Sequence, residues 1–466
     1  MSVEEDLSKF FNPRSVAVIG ASDNPSKLGY DVFKNLREYG GRVYPVNVRR
    51  EYVQGVKAFK SVLDIPDEVD LAVIVVPREY VAGVMRECGE KGVKAAVIIT
   101  AGFSEVGEEG ARLEREVISI ARKYGIRVIG PNCVGIMNTW NNLNATFVTK
   151  AKRGYVAFVS QSGALGAAII YKTIKERVGF SKFISVGNMA DVDFADLMRY
   201  LANDPETKAI ALYVEGVKNG RKFLQAAREV SRVKPVIALK GGRSASGSRA
   251  VASHTGSLAG NYRVYEAAFR QSGILVAETI DELLSMARAF TQPLPRGGRV
   301  AILTNAGGLG VLLTDEVERR GLRMAKLSEE TVGRLREVLL PIASLKNPVD
   351  TVAGARGREY RECVKALVKD PNVDILIVAC VVPTFASMSR TEHAEGVAEA
   401  VKEVKPDKPI LAAFLAGHVS EDAKELLESA GIPNYERPED AASAAKALVT
   451  YATYRRAAAG EAASKA

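Results

Sequence analysis

The sequence lacks several features that would place it among secreted or membrane proteins. Its four cysteines are too few and too widely spaced to staple 466 residues, which excludes a disulfide scaffold and indicates reduced thiols. The longest apolar runs, such as those at 71–76 and 95–99, have the length of strands and exclude a membrane-spanning helix. The N-terminal segment is acidic and has no apolar signal-peptide core, so the expected location is the cytoplasm.

The chain also lacks a large excess of one charge sign, and it contains little glutamine. The chain has 64 basic and 55 acidic residues, and its net charge of +9 is spread along the sequence rather than gathered into a stripe. This distribution favours small anionic ligands over nucleic acid. Only about five glutamines occur, a bias of proteins from hot environments.

Short β-branched runs alternate with helical patterns from Ser15 onward, which indicates βαβ units and parallel sheets. The length suits about three domains. The predicted strands of the first lie at 15–19, 43–46, 71–76, 95–100 and 127–129, those of the second at 155–159, 183–186, 209–214, 235–239 and 273–277, and those of the third at 299–304, 374–380 and 409–414.

The first strand runs into a turn that begins Gly20-Ala21-Ser22, where a dinucleotide fold binds its pyrophosphate. The GxGxxG fingerprint is absent, which argues against a nicotinamide dinucleotide. Where such folds carry an acidic residue for the ribose, this chain has Arg49-Arg50, which suits a phosphorylated ribose, as in coenzyme A or NADP, or a solvated loop.

The second unit offers another strand, turn and helix that could cradle an anion. Its strand ends in Ser160-Gln161-Ser162-Gly163, which reads either as a backbone phosphate site or as an ordinary tight turn. Glu215 follows the strand that ends at Val214, so its carboxylate lies at the carboxyl edge of the sheet, where α/β proteins bind ligands.

The segment 253–260 contains one of only three histidines, His254, among Ser, Thr and Gly residues. It predicts a loop after the flexible, cationic segment 240–249 and before a helix at 261–271. Such a loop would place an imidazole among the hydroxyl and N–H groups that a phosphate needs. A surface histidine that hydrogen-bonds a neighbour remains an equal alternative from local composition.

The Pro- and Gly-rich segment 293–298 predicts a linker. We therefore expect an α/β protein with a Rossmann-like domain over 1–150, a flavodoxin-like doubly wound domain over 151–292 and a second such domain over 293–466. The last domain should close with a helix over 438–456, followed by a frayed Ala-rich tail over 457–466.

Six motifs occur in an order that resembles the NDP-forming acyl-CoA synthetases, the superfamily of succinyl-CoA synthetase and of the ADP-forming acetate–CoA ligases. They are Gly20-Ala21-Ser22 with Pro25, Lys27 and Gly29; Gly130-Pro131-Asn132-Cys133-Val134-Gly135; Ser160-Gln161-Ser162-Gly163; Glu215-Gly216; Ser253-His254-Thr255-Gly256-Ser257; and Asn347-Pro348-Val349-Asp350. The resemblance covers nearly the whole chain. Because the third domain follows the histidine-bearing domain on the same chain, the sequence most resembles the α subunits of the archaeal ADP-forming ligases.

This resemblance implies a role for each motif. The first domain would bind coenzyme A, with contacts from Gly20, Ala21, Ser22, Lys27, Asn47 and Asn132. His254 would be transiently phosphorylated, and Glu215 would accept a hydrogen bond from its other ring nitrogen. The phosphoryl group would be held by Ser160, Gln161, Ser162 and Gly163, with Thr255 and Gly256 beside the histidine. Cys133 is interpreted as a packed small residue, and His393 and His418 as surface or capping residues.

The implied reaction converts acyl-CoA, inorganic phosphate and ADP to acid, CoA and ATP through an acyl phosphate and a phosphohistidine. No P-loop and no region long enough for an ATP-grasp module is apparent, so the resemblance places ADP/ATP and magnesium on a separate ATP-grasp β subunit in an α2β2 assembly. We assign no metal site to this chain. Two alternatives remain from sequence: a catalytically silent CoA-binding regulatory module and an NADP-dependent oxidoreductase.

Overall fold

The computed structural model describes residues 3–175, 178–255, 260–385 and 387–463, with side chains described throughout these ranges except at 3–6, 175, 252–255 and 461–463. The chain divides into two compact units, Met1–Val276 and Ala277–Ala466. Among the described residues, no helix is long and apolar enough to cross a membrane.

The first unit begins with a five-stranded parallel sheet in the order β2-β1-β5-β6-β7. The strands read as continuous apolar runs because helices cover both faces of the sheet, and all five residues of β1 are buried. Its elements are α1 (Val3–Phe11), β1 (Ser15–Ile19), α2 (Leu28–Leu36), β2 (Arg42–Val46), β3 (Tyr52–Val53), β4 (Val56–Lys57), β5 (Leu71–Ile74), α3 (Arg78–Lys91), β6 (Ala95–Ile98), α4 (Glu108–Tyr124) and β7 (Arg127–Ile129), with 3-10 helices at Val62–Asp64 and Ser104–Val106.

The same unit contains a seven-stranded sheet in the order β14-β13-β12-β10-β11-β8-β9. Strands β10 to β13 are parallel, whereas β8 and β9 form an antiparallel hairpin at the edge. Its elements are β8 (Gly135–Asn138), β9 (Leu143–Thr146), β10 (Arg153–Ser160), α5 (Gly163–Lys175), β11 (Phe180–Ser185), α6 (Phe194–Asn203), β12 (Ala209–Val214), α7 (Gly220–Ser231), β13 (Val236–Lys240), α8 (Ala245–Thr255), α9 (Tyr262–Gln271) and β14 (Leu275–Ala277).

The second unit has a parallel sheet in the order β16-β15-β18-β19, and β17 also pairs with β15. Helix α10 packs against the long closing helix α16. The elements are α10 (Ile280–Ala289), β15 (Arg299–Thr304), α11 (Gly307–Arg319), β16 (Arg323–Met324), α12 (Glu329–Val338), β17 (Val349–Asp350), α13 (Gly357–Lys369), β18 (Ile375–Val381), α14 (Glu392–Val404), β19 (Ile410–Leu415), a 3-10 helix at Gly417–Ser420, α15 (Glu421–Ser429) and α16 (Pro438–Ala463).

The prediction of parallel α/β units is confirmed, but two local predictions are wrong. The cationic segment expected to be flexible over 240–249 enters helix α8 at Ala245, and that helix continues to Thr255. Its start is capped by Ser244, whose Oγ accepts from the N–H of Gly247 at 3.0 Å. The tail expected to fray after Arg456 remains helical to Ala463, because alanine has the highest helix propensity.

Two elements group differently from the expected domain boundaries. The hairpin of β8 and β9, which precedes residue 150, pairs with the second sheet through β11. Helix α10 precedes the linker at 293–298 and belongs to the second compact unit.

Candidate active site

The turn after β1 is shaped by two close backbone approaches. Gly20 has a φ of +99°, and a Cβ there would lie 2.4 Å from the carbonyl oxygen of Val75. Gly29 lies in the first turn of α2, where a Cβ would lie 2.0 Å from the carbonyl oxygen of Gly20. Glycine therefore lets the start of α2 touch the turn, as a backbone anion site requires.

Side-chain amides hold this turn against its neighbours. Asn47 donates through Nδ2 to the carbonyl of Ala21 at 2.8 Å, and its Oδ1 accepts from the N–H groups of Arg49 at 2.9 Å and Arg50 at 3.0 Å. Both arginines are exposed. Asn47 thus holds the backbone of the two arginines beside the turn. Gln54, which the sequence analysis missed, donates through Nε2 to the carbonyl of Ser22 at 3.0 Å.

A cavity of about 430 Å³ lies within the first unit, between residues that follow strands of both its sheets. The first part of the chain contributes Leu28, Ile99, Ala101, Ser104, Asn132, Cys133, Val134 and Phe147, and the second part Gln161, Ser162, Gly163, Ala164, Gly187, Asn188, Met189, Glu215, Gly216, Val217, Lys218 and Tyr265. Carboxyl ends of parallel strands thus meet around one concave site.

The turn between β10 and α5 forms one wall of this cavity. Within the described part of the chain, the N–H groups of Ser162, Gly163 and Ala164 have no protein acceptor, because they belong to the first positions of the helix. In contrast, the N–H of Gln161 donates to the carbonyl of Tyr213 at 3.2 Å. An anion could therefore be held by residues 162–164, whereas the expected backbone contact from Gln161 is already used.

Glu215 lies at the end of β12 and is 6% exposed. The side-chain oxygen of Gln161 accepts from the N–H groups of Glu215 at 2.8 Å and Gly216 at 2.9 Å. Burial, and next the negative charge of Glu215, raise the pKa of Tyr213 to about 12, so this hydroxyl stays protonated beside the carboxylate.

Lys240, at the end of the neighbouring β13, is a buried cation 4.7 Å from the centre of the Tyr265 ring. Burial lowers its pKa, and the charge of Glu215 opposes that shift. The hydroxyl of Tyr265 in turn accepts from the N–H of Val217 at 3.1 Å. These contacts fix the segment that carries Glu215.

Asn132 has a left-handed backbone with φ of +58°, and its Nδ2 donates to Oδ1 of Asn188 at 3.3 Å. Asn188 donates to the carboxylates of Glu105 at 2.7 Å and Glu114 at 2.9 Å. Burial raises the pKa of Cys133 to about 12, and its Sγ lies 3.3 Å from the carbonyl of Ile98. The prediction that Cys133 is a packed residue is confirmed.

His254 and Thr255 lie in the last turn of α8, not in a loop as expected, and their side chains lie outside the described ones. Gly256 lies outside the described residues. Helix α8 lies against the 3-10 helix at Ser104–Val106, and Ser104 lines the cavity. The helix that carries the histidine therefore packs beside a segment that lines the site.

The other two histidines differ in solvent exposure. His418 is exposed, as expected. The surface assignment of His393 is wrong, because this residue is 1% exposed, stacks edge-on against Tyr360 and places Nε2 3.0 Å from the carbonyl of Ala355. Among its polar neighbours, Glu395 is exposed and Glu392 is half-buried.

The cavity brings together Asn132, Gln161, Ser162, Gly163 and Glu215, whereas Gly20, Ala21, Ser22, Lys27 and Asn47 lie at the carboxyl edge of the first sheet outside its lining. Sequence reasoning missed Asn188, Tyr213, Lys240 and Tyr265. A signal for Asn188 was available, because it follows a predicted strand at the same sheet edge as Ser160.

Three family models match consecutive parts of the chain. A CoA binding domain matches residues 14–139, a succinyl-CoA ligase like flavodoxin domain matches 153–290, and a ligase-CoA domain matches 300–463. Together they define an α/β protein of the acyl-CoA ligase class.

The chain is 69% identical to acetate–CoA ligase [ADP-forming] II subunit alpha of Pyrococcus furiosus, over 96% of this chain and 98% of that protein. It is 42% identical to acetate–CoA ligase [ADP-forming] I of Archaeoglobus fulgidus, over 96% of this chain but 64% of that protein. A solved structure of acetyl-coenzyme A synthetase 1 from Candidatus Korarchaeum cryptofilum, in complex with phosphate and ADP, superimposes with a TM-score of 0.90 at 41% identity, covering 97% of each chain. The chain belongs to the family of the α subunits of ADP-forming acetate–CoA ligases, and the predicted resemblance is confirmed.

Proposed function

We propose that this chain is the α subunit of an ADP-forming acyl-CoA synthetase with acetyl-CoA as the default substrate. It would convert acyl-CoA, inorganic phosphate and ADP to acid, CoA and ATP, reversibly. The observation that carries this proposal is the shared cavity. It combines the N–H groups of residues 162–164, which have no acceptor among the described residues, with Glu215, and the helix that bears His254 lies against the 3-10 helix that contributes Ser104 to the lining.

Coenzyme A would bind along the carboxyl edge of the first sheet. Its phosphates would lie near Gly20, Ala21 and Ser22, with Lys27 at the start of α2 and the exposed Arg49-Arg50 pair supplying positive charge. Its pantetheine arm would extend past Asn132 into the cavity. In this arrangement Asn47 contributes by holding the turn.

The chemistry would take place in three steps. A phosphate oxygen attacks the thioester carbon, the carbon–sulfur bond breaks, and CoA leaves as the thiol. A ring nitrogen of His254 then attacks the phosphorus of the acyl phosphate and releases the carboxylate. Finally a terminal oxygen of ADP attacks the phosphohistidine, which forms ATP and restores the imidazole.

Each protein group has a part in these steps. The N–H groups of Ser162 and Gly163 would hold the phosphoryl oxygens at the positive end of α5, with Thr255 and Gly256 beside the histidine. The Glu215 carboxylate would accept the hydrogen bond of the other imidazole nitrogen, which fixes the tautomer and stabilises positive charge on the ring.

The nucleotide site would belong to a separate ATP-grasp β subunit in an α2β2 assembly, and magnesium bound there would neutralise the nucleotide phosphates. The lengths of the relatives support a separate β subunit, since this chain matches 98% of the Pyrococcus α subunit but only 64% of the longer Archaeoglobus ligase. Because CoA and ADP are intracellular metabolites, we place the reaction in the cytoplasm. Movement of His254 between the two sites would carry helix α8 with it, and Gly241 and Gly242 before that helix would permit the movement.

Mass spectrometry of the purified chain with acetyl phosphate, with and without an ATP-grasp partner, tests the proposal. We expect an acid-labile phosphoryl group on His254, its loss in His254→Ala with CoA binding retained, and its retention in the control His418→Ala, because His418 is an exposed histidine. A wild-type chain that binds CoA but is phosphorylated under neither condition would instead identify a silent CoA-binding module.

A further inference from the structure

Gln161 is tied to the Glu215 strand by both its backbone and its side chain. Its N–H donates to the carbonyl of Tyr213, and its Oε1 accepts from the two successive N–H groups of Glu215 at 2.8 Å and Gly216 at 2.9 Å. One side-chain oxygen therefore satisfies both N–H donors at the point where β12 ends.

The residue immediately after Gln161 begins the run of N–H groups at 162–164 that have no acceptor within the described ranges. Gln161 thus joins two adjacent structures on the cavity wall: the turn that presents N–H groups to an anion, and the segment that carries the Glu215 carboxylate. The backbone N–H of Gln161 is engaged, and its side-chain oxygen Oε1 faces the Glu215 backbone. These contacts are those of a structural link between the turn and the Glu215 segment.

We propose that Gln161 is a positioning residue that holds the Glu215 carboxylate in register with the N–H groups of residues 162–164. The inference rests on the proposed function, in which those N–H groups hold the phosphoryl oxygens while Glu215 orients His254. Loss of the Gln161 oxygen would leave two N–H groups at a mostly buried strand end without their acceptor. The segment would then relax, and a displacement of about 1 Å in a positioning group costs on the order of 100-fold in rate.

The test uses the complete complex of this chain with its ATP-grasp partner and measures acid formation from acetyl-CoA, phosphate and ADP. Gln161→Met has nearly the same volume but replaces the amide oxygen by a thioether, which is only a weak acceptor. We expect kcat to fall about 10- to 100-fold, while the KM for phosphate and the Kd for CoA stay within about twofold of wild type. The matched control is Gln225→Met on the exposed face of α7, which should leave all three constants unchanged.

A double-mutant cycle separates positioning from direct contact with phosphate. In a Glu215→Gln background, Gln161→Met should reduce the rate of His254 phosphorylation by acetyl phosphate less than twofold, because the carboxylate that it positions is already gone. An undiminished effect in that background, a raised KM for phosphate with unchanged kcat, or wild-type kinetics would each overturn the proposal.

Gln161→Glu retains an oxygen acceptor for both N–H groups and decides the matter if the Met variant does not fold. We expect its kcat at saturating phosphate to remain within about tenfold of wild type, with a higher KM for phosphate from charge repulsion. A larger loss of kcat would contradict positioning through the acceptor. Failure of the proposed function is distinguishable, because wild-type protein would then lack turnover and His254 phosphorylation.

Discussion

Replacement of Gly29 by alanine tests how closely α2 must approach the turn after β1. The added Cβ would lie 2.0 Å from the carbonyl oxygen of Gly20 and 3.5 Å from Cα of Ala21, so it collides with backbone that cannot rotate away. The helix start must therefore move by more than 1 Å. Such overpacking costs about 1–3 kcal/mol of unfolding free energy. The displaced N–H groups should also raise the Kd for CoA.

Gly83 provides a matched control in helix α3, which follows strand β5 of the same sheet. A Cβ at Gly83 meets no atom within 4 Å, so Gly83→Ala should stabilise the chain by up to about 1 kcal/mol through helix propensity. The two variants should differ by about 1–4 kcal/mol in denaturant unfolding, and only Gly29→Ala should weaken CoA binding in a calorimetric titration. Equal stability and equal CoA affinity of the two variants would refute the close-approach argument.

Three further changes have defined expectations. Lys182→Met removes the buried cation that lies 2.7 Å from Asp204, and it should cost about 3–5 kcal/mol in denaturant unfolding. Asn188→Ala frees the Asn132 amide and should raise the Kd for CoA about tenfold, equivalent to about 1.4 kcal/mol, in a titration. Burial lowers the pKa of His393, so the unfolded chain binds the proton more readily; stability should fall as pH drops below about 6.5 in thermal unfolding, and less so in His393→Phe.

Exposed residues supply the controls for these changes. Glu330→Gln breaks an exposed pair with Arg334 and should change stability by less than about 0.5 kcal/mol. The exposed Asn203→Ala should leave CoA affinity unchanged. His418→Phe should retain the wild-type pH dependence, because His418 is exposed. Control effects as large as those of the buried variants would contradict the role assigned to burial.

The strands of the parallel sheets could be predicted because burial on both faces leaves an uninterrupted apolar signal, as in β1 and β12. The hairpin of β8 and β9 could not, since its residues include Asn138 and Asn144, which read as loop. Both are buried, and their amides donate to the carbonyls of Phe11 and Val148. The partner of Asn138 is 127 residues away in the sequence, and such a hydrogen bond has no local sequence signature.

The site was predictable to the extent that its residues follow predicted strands, as Ser160 and Glu215 do. Its supporting contacts were not, because they join residues far apart in sequence, such as Gln161 with Glu215 and Asn132 with Asn188. Helix α8 escaped prediction because Ser, Ala and Gly residues give no hydrophobic periodicity, while its capping by Ser244 depends on the local backbone.

All three sheets place a glycine-containing strand-to-helix turn where the strand order reverses: after β1, which lies between β2 and β5; after β10, between β11 and β12; and after β15, between β16 and β18. Ligands of open α/β sheets bind at such points. In the third, however, a Cβ on Gly307 would lie 2.9 Å from the carboxylate of Asp350, so an internal anion already faces the start of α11. An incoming phosphate would be repelled there, whereas the N–H groups at 162–164 meet no acceptor in the described part of the chain. The turn after β10 can therefore accept an anion, whereas the turn after β15 already faces the carboxylate of Asp350. For this reason we place the candidate chemistry in the first unit.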